Sequence, residues 1–472
     1  MCDELREVTG EGIPLSKAME RILTGAFLCC VAVASIFLGP AAAGTPAAGQ
    51  ASNKAAKGDV GFETLDERVR LRILIGMIRS GGQEQAARML ADVPFRGPYA
   101  RNRTLFLQGL IAEARGDLKG AVHRFRTALA SDPNLTMVRM ELARALYLDN
   151  DDDGARHQFE LLIGAAPTPE LVRTFDGFLD AISQRRPWDF DFWASLAPST
   201  NFNNGTSRKV VWIDGLPFVV DDNTHEKSGI GLRGGTNGSY QFRLGEDLSL
   251  VTAAGVNYTD YQGDSFDDFL LSQTVELRRK NGSTEVWLGG IAQERWSGDE
   301  FLWSVGPQLT IKQRFGPRTG GYLRLRQAFN LYDHAEYRDG TTSGGEGRVS
   351  WSLSPATVFY TLAGAERGTA TLPHLDYWSA MGGLAAYHEF GYGLTLYTEG
   401  RLRRSIYDGD YPFMDEPRDD IRLDIRATLT KRDFEIWGLA PQLEYTYSKA
   451  WSNTPFDSFE AHGASLTLTK QF

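Results

Sequence analysis

From Trp188 to Phe472 the chain alternates apolar and polar residues in segments of about ten, with no amphipathic helix between them. A period of two gives each segment one apolar and one polar face, which is the geometry of a half-buried strand. Leu248, Leu250, Thr252, Ala254, Val256 and Tyr258 make one such face, and Ile421, Leu423, Ile425, Ala427 and Leu429 another; Ser249, Asn257, Arg422, Asp424 and Arg426 fill positions between. The pattern predicts fourteen strands, at 188–197, 228–244, 248–260, 267–279, 284–296, 300–314, 321–332, 345–353, 357–366, 375–388, 393–405, 418–430, 436–448 and 458–472. Tight links are expected at Gly245-Glu246-Asp247, Lys280-Asn281-Gly282-Ser283, Ser354-Pro355-Ala356 and Lys431-Arg432-Asp433. Long polar ones are expected near 198–227, 333–344, 406–417 and 449–457, with Ser297-Gly298-Asp299 short where the alternation calls for a long one. An even strand number with alternating short and long links is the pattern of a transmembrane barrel of the bacterial outer membrane, with both chain ends on the periplasmic side.

Composition agrees. A mean hydropathy of −0.30 with one long apolar run excludes a polytopic helical membrane protein, but not a barrel whose lumen is polar. Aromatics at 11% exclude a disordered chain, and a formal charge of −10 argues against a nucleic-acid partner. All ten Trp lie after Pro187, and only Tyr99 and Tyr147 of the seventeen Tyr precede it. Trp188, Tyr258, Trp296, Tyr322, Tyr377 and Tyr447, near strand ends, suit the aromatic girdles of a bilayer-spanning barrel. The last segment, Ala464 to Phe472, is apolar at Leu466, Leu468 and Phe472, and resembles the terminal strand read by the outer-membrane barrel assembly machinery.

The chain begins with an address. Lys17 and Arg21 precede an apolar run from Ile22 to Leu38, followed by Gly39-Pro40 and the small residues Ala41 to Gly44, the order of a secretory signal peptide over 1–43. Met19 is an alternative start, and an uncleaved anchor or a lipidated cysteine are the alternatives to cleavage. Cys2, Cys29 and Cys30 all fall here, too few for a disulfide framework or a Cys-rich metal site, so the mature chain carries none. Residues 44–62, rich in Ala, Gly, Pro and Ser at the start, read as a flexible linker.

Residues 63–186 read as a helical repeat domain. Gly109, Ala121, Phe125, Ala128 and Pro133 recur about 34 residues later as Ala143, Ala155, Phe159, Leu162 and Pro167. The small residues let two helices approach and the prolines end the second, as in tetratricopeptide repeats. A weaker unit spans Leu71–Pro94 and a capping helix lies near Glu170–Ser183. His123 and His157 fall at the same spacing; with no second cluster of ligands beside them they are expected as solvent-exposed helix positions. The fold class is therefore α + β multidomain: an N-terminal tetratricopeptide-like α-solenoid, then a 14-stranded antiparallel transmembrane β-barrel over 187–472.

This pairing resembles the surface lipoprotein assembly modulator family of Gram-negative outer membranes. The residues that carry the resemblance are the aromatic opening strand, Trp188-Asp189-Phe190-Asp191-Phe192-Trp193, the Asn-rich segment that follows with Asn201 and Asn203, and the terminal Phe472. The resemblance implies movement of a client, a lipoprotein or a soluble secreted protein, across the outer membrane to the cell surface.

With the apolar faces turned to lipid, the inner faces carry Arg324, Arg326, Glu399, Arg401, Arg403, Arg422, Asp424 and Arg426. Two roles fit these mixed signs: an ion-pair lattice that fills a polar lumen, or a charged path that guides a client. No HExxH, GxSxG or Walker loop is present, so no enzymatic activity and no cofactor are expected. His334 beside Asp333 and His374 near Asp376 lack the ordered partners of base catalysis, and the acidic runs Asp221-Asp222 and Asp264 to Asp268 lack the 1-3-5 ligand spacing of a calcium loop. A sugar-export porin with tetratricopeptide repeats is the alternative function; it calls for a barrel of about sixteen strands and many more repeats. An outer-membrane protease or phospholipase would need a nucleophile pattern at the barrel rim, and none is found.

Overall fold

A computed structural model describes residues 61–469 except 167, 214–215, 262–265, 299, 413, 433, 435–438 and 455. The expected signal peptide, almost all of the expected linker and the terminal Phe472 lie outside the described residues.

Seven helices come first: α1 (Glu67–Arg79), α2 (Gln83–Asp92), α3 (Ala100–Ala114), α4 (Leu118–Ser131), α5 (Thr136–Leu148), α6 (Asp152–Ala165) and α7 (Pro169–Arg185). The small-aromatic-small positions are the core of this array. Ala121, Phe125, Ala128, Ala143 and Ala155 are fully buried, with Phe159 and Leu162 nearly so. The repeat also reuses its turn. Gly116 and Asn150 both take positive φ, 82° and 62°, to end α3 and α5. The next residue, Asp117 or Asp151, then accepts the N–H of Gly120 or Gly154 to start the following helix. This stop-and-start device keeps the repeat spacing; the sequence marks Gly116-Asp117 as a turn, while its counterpart Asn150-Asp151 carries no glycine to mark it.

Fourteen strands then close a barrel, each antiparallel to its neighbours. They are β1 (Trp188–Ser199), β4 (Gly229–Arg243), β5 (Leu248–Asp260), β6 (Asp268–Asn281), β7 (Thr284–Ser297), β8 (Glu300–Arg314), β9 (Thr319–Asp333), β10 (Gly340–Ser354), β11 (Thr357–Thr369), β12 (Tyr377–Glu389), β13 (Leu394–Asp410), β14 (Pro417–Lys431), β15 (Ala440–Ser452) and β16 (Phe459–Thr469). A small hairpin, β2 (Val210–Ile213) with β3 (Leu216–Val219), stands in the long β1–β4 link and was not expected. Each expected strand has its counterpart, so the count is fourteen and not the roughly sixteen of the sugar-export alternative. Several strands outrun their sequence bounds: β10 starts at Gly340, β13 runs to Asp410 and β15 to Ser452. The extra residues of β10, Gly340 to Gly344, are polar or glycine and look like loop by composition, yet they pair with β9. The link expected to be tight at 431–433 instead runs from Arg432 to Leu439. β15 begins only one residue before Pro441, a residue without an N–H that sheets accept at a strand's start.

The two faces separate as the alternation requires. Leu196, Leu232, Leu325, Leu384, Leu402, Ile425, Leu443 and Leu466 are exposed on the outside. In water that belt would be a liability; in lipid it is the correct solvent. Trp188, Tyr258 and Trp296 are exposed on the same side, and Trp296 packs between Phe269 and Phe301 with ring centroids 5.3 and 4.8 Å away. Tyr322 and Tyr377 depart from the girdle expectation. Their neighbours Leu323 and Trp378 point out, so both tyrosines point in, where Tyr377 donates to Glu366 and Arg324 lies over Tyr322. Nearness to a strand end does not decide the face; parity does.

A Cβ added at Gly109 falls 2.3 Å from Phe125 Cε1, so α3 and α4 touch there with no room for a side chain. Gly109→Ala should therefore destabilise the helical array by about 1–3 kcal/mol. In the full chain, the helical circular-dichroism signal should be lost at lower denaturant while the sheet signal persists; an unchanged helical midpoint contradicts this packing.

Candidate functional site

Three regions hold the polar chemistry: the lumen wall, the barrel mouth covered by the helices, and the seam where β1 meets β16.

On the wall the strand register decides which charges meet. Across β13 and β14, Glu399 stands opposite Arg426, Arg401 opposite Asp424, and Arg403 opposite Arg422. Arg401 pairs with Glu399 at 2.6 Å, Arg422 with Asp424 at 2.9 Å, and Arg426 with Glu444 of β15 at 3.5 Å. Asp424 also accepts the Ser448 hydroxyl at 2.6 Å. On β9, Arg324 pairs with Glu346 at 3.2 Å. Of the eight charges read from the sequence, two cations are left over. Arg326 donates to the Gln293 side chain and Arg403 faces Arg422; neither has an ion-pair partner among the described residues. The wall is a lattice with gaps, and these two gaps are positive.

The mouth at the end where β1 begins is covered by the helices. Arg139 of α5 is buried to 1% exposure and its partner Glu389, the last residue of β12, to 0%. Arg139 Nη2 donates to Glu389 Oε2 at 2.6 Å and to the Pro133 carbonyl at 2.7 Å, while Nη1 donates to Gln158 Oε1 at 2.7 Å. The other carboxylate oxygen accepts from Tyr387 at 2.8 Å and pairs with Arg432 at 2.9 Å. His157 of α6 stands 3.9 Å from that oxygen, with its Nε2 buried. His157 is thus not the solvent-facing position expected from sequence, because the barrel covers it; His123 is exposed. Around this centre Arg314 grips Asp176 at 2.9 and 3.1 Å, Lys280 meets Asp180 at 2.9 Å, and the Tyr392 N–H donates to the Ala130 carbonyl.

Sequence reasoning missed Arg139, but a signal existed. Arg139 shares one face of α5 with the buried Leu142, Ala143 and Leu146, so a charge sits inside an apolar stripe. Beside the docked face, α6 and the barrel enclose a cavity of roughly 450 Å³ lined by His157, Glu160, Lys312, Arg314, Tyr360 and others. Crowding by the wall raises the Glu160 carboxyl above its usual range, against the pull of His157, Arg156 and Lys312.

At the seam, Ala194, Ser195, Leu196 and Ser199 of β1 face Leu468, Thr467, Leu466 and Gly463 of β16. Asn201, at 2% exposure, bonds Gly205 both ways, accepting its N–H at 2.9 Å and donating to its carbonyl at 2.8 Å. It also donates to the Glu460 carbonyl of β16 at 3.1 Å. Asn203 donates to the Asn223 and His225 carbonyls, each at 2.8 Å, and accepts the Lys227 N–H. The Asn-rich segment therefore ties the first long loop to itself and to the closing strand. Trp188 faces outward and stacks under Arg186, whose guanidinium is 4.3 Å from the ring centroid. Of the acidic runs, Asp268 pairs with Arg295 and Asp221 accepts the Asn223 N–H.

Removing Glu389 should cost about 3–5 kcal/mol, since Arg139 is then a buried lone charge, and removing Arg139 should cost less, since Glu389 keeps Arg432 at 2.9 Å. Arg139→Met or Glu389→Gln alone should loosen the helical array from the barrel, seen as faster hydrogen exchange in α5 and α6. The paired change Arg139→Met with Glu389→Leu should recover much of the loss. Equal protection in all four proteins would show that the pair does not hold the docked state.

Two family descriptions match the chain: surface lipoprotein assembly modifier over residues 188–472, and the N-terminal tetratricopeptide repeats of the same family over residues 101–159. Among curated relatives, "Surface lipoprotein assembly modifier 1" of Neisseria meningitidis serogroup B is 23% identical over 400 residues, covering 78% of this chain and 75% of its own. "Surface lipoprotein assembly modifier" of Pasteurella multocida is 22% identical over 401 residues, covering 77% and 75%. "Hemophilin secretion modulator" of Acinetobacter baumannii is 21% identical over 401 residues, covering 79% and 80%.

Proposed function

This chain belongs to the surface lipoprotein assembly modifier family, and from that premise we propose that it acts in surface lipoprotein assembly as an outer-membrane translocator. A client lipoprotein, or a soluble secreted client, passes from the periplasm to the cell surface. The helical repeats dock the client on the periplasmic side and the barrel provides the path. The observation that carries this reading is the covered mouth: the helical array sits over one end of a polar lumen, held by Arg139–Glu389, Arg314–Asp176 and Lys280–Asp180. A client bound to the repeats is thereby delivered to the barrel entrance. The name of the Acinetobacter relative, a secretion modulator, supports a secreted client as well as a surface lipoprotein.

In this scheme residues 1–43 send the chain through the inner membrane and 44–62 form the linker. Residues 63–186 remain in the periplasm, and 187–472 are inserted in the bilayer by the barrel assembly machinery, guided by Leu466, Leu468 and Phe472. The lattice residues Arg324, Arg326, Glu399, Arg401, Arg403, Arg422, Asp424 and Arg426 line the path. No step calls for a catalytic residue or a cofactor.

Deleting residues 63–186 should abolish surface display of a co-expressed client lipoprotein, measured by protease shaving of intact cells, while the barrel stays inserted. Normal display by that deletion removes client docking from the scheme. Lumen and seam are separated by a cross-link. Leu196 and Leu466 are register partners, and paired strand positions lie within disulfide reach, roughly 4.5–5.5 Å between Cα atoms. Leu196→Cys with Leu466→Cys should lock the seam on oxidation. Display that continues with the seam locked assigns the path to the lumen, and display restored only by reductant assigns it to the seam.

A further inference from the structure

We propose that the stretch of lumen wall just inside the covered mouth, on β8, β9 and β10, is a binding site for a polypeptide segment carrying carboxylates, with Lys312 and Arg348 as its anchoring cations. The proposal rests on the translocation reading and adds the chemistry of what the mouth receives.

The register sets these residues in one row. Glu285 of β7 is opposite Lys312, Lys312 is opposite Tyr322, and Tyr322 is opposite Arg348. Elsewhere on the wall most cations are neutralised by a carboxylate, as Arg401, Arg422 and Arg426 are. Here they are not. Among the described residues neither Lys312 nor Arg348 has a carboxylate within ion-pair distance, and the buried Nε of Arg348 has no hydrogen-bond partner. Aromatic faces hold them instead. The Lys312 ammonium is 3.7 Å from the Trp287 ring centroid and the Arg348 guanidinium 3.6 Å from that of Tyr360. A ring face positions a cation without cancelling its charge. These two side chains are therefore fixed in place and still able to bind an anion. Arg326, two same-face steps further in along β9 than Tyr322, adds a third cation without a carboxylate partner, held by Gln293.

The space beside Lys312 has room for an occupant. The cavity of roughly 450 Å³ is lined by Lys312 and Tyr360 from the barrel and by Glu160 from α6. Lys312 and Arg348 are two strands apart, about 10 Å, close to the roughly 9 Å between carboxylates three residues apart on a polyproline II chain, where that spacing returns to the same face. The row points into the lumen, away from the outward apolar belt, so a peptide reaches it and the headgroup of a bilayer lipid does not. Glu160 faces the same space, with no ion pair of its own among the described residues. It is a carboxylate supplied by the helical array to the site an acidic client segment would enter, and so a competitor for it.

The test uses the full chain in detergent micelles and a fluorescein-labelled extended peptide with glutamate at every third position, against the same peptide with lysine. The glutamate peptide should bind saturably and more weakly as salt rises, and the lysine peptide should not bind. Lys312→Gln with Arg348→Gln should weaken binding at least tenfold, with barrel folding checked by resistance to unfolding in cold SDS. Glu160→Gln, which leaves the barrel sequence untouched, should bind several-fold tighter. Binding by the double variant within twofold of the parent, or equal binding of the lysine peptide, overturns the site. Surface display is a separate readout: its loss on deleting residues 63–186 concerns the translocation reading, and peptide affinity concerns this site, so each fails on its own measurement.

Discussion

A backbone N–H inside a hydrocarbon layer has no water to bond, so a membrane-crossing sheet must close on itself. Everything in this chain follows from β1 meeting β16. Closure fixes the register of all fourteen strands, register fixes which side chains share a face, and the faces divide into an apolar outside and a charged inside. The joint that completes the circle is also reinforced from the loop side: the Thr200 N–H donates to the His462 carbonyl, and Asn201 reaches the Glu460 carbonyl of the closing strand. The asparagines after the first strand thus serve the sheet more than the loop that contains them.

The second dependence is electrostatic. Taking Arg139 and Glu389 out of water is costly, and such pairs add little net stability compared with apolar packing. What this pair adds is specificity. Each ion has several fixed partners, Gln158 and Pro133 on one side and Tyr387 and Arg432 on the other, so the helices fit the mouth in one orientation. The flanking contacts, Asp176 with Arg314 and Asp180 with Lys280, place acidic groups of α7 against basic strand ends of the barrel. The same surface would accept an acidic partner if the helices moved away.

Much of this was legible in the sequence, because both architectures rest on periodicity. Alternation marked every strand, since a residue in a closed barrel has only two directions to face. The spaced small residues marked the helix pairs, since Ala121 and Ala143 leave no room for anything larger at a crossing. What escaped was relational. Tyr322 and Tyr377 sit where girdle tyrosines would, and only the register turns them inward. Arg139 and Glu389 are 250 positions apart, and no local pattern joins them. Each lumen-facing charge is legible within its own strand, but which of them are neutralised depends on cross-strand neighbours. That is how Lys312 and Arg348, invisible as a pair in sequence, come to matter.

The short junction between the two architectures sets how they can move. α7 ends at Arg185 and β1 begins at Trp188, so two residues join a rigid array to a rigid wall. Arg186, at that junction, grips Asp153 of α6 with distances of 2.9 and 3.0 Å while lying over the Trp188 ring. An array on so short a leash cannot drift off into the surrounding fluid. It can only swing about that point, like a door hung on one edge. The contact of Arg139 with Glu389, five strands round the ring from β1, is then the bolt, and the entrance widens most at the place farthest from where β1 enters the sheet.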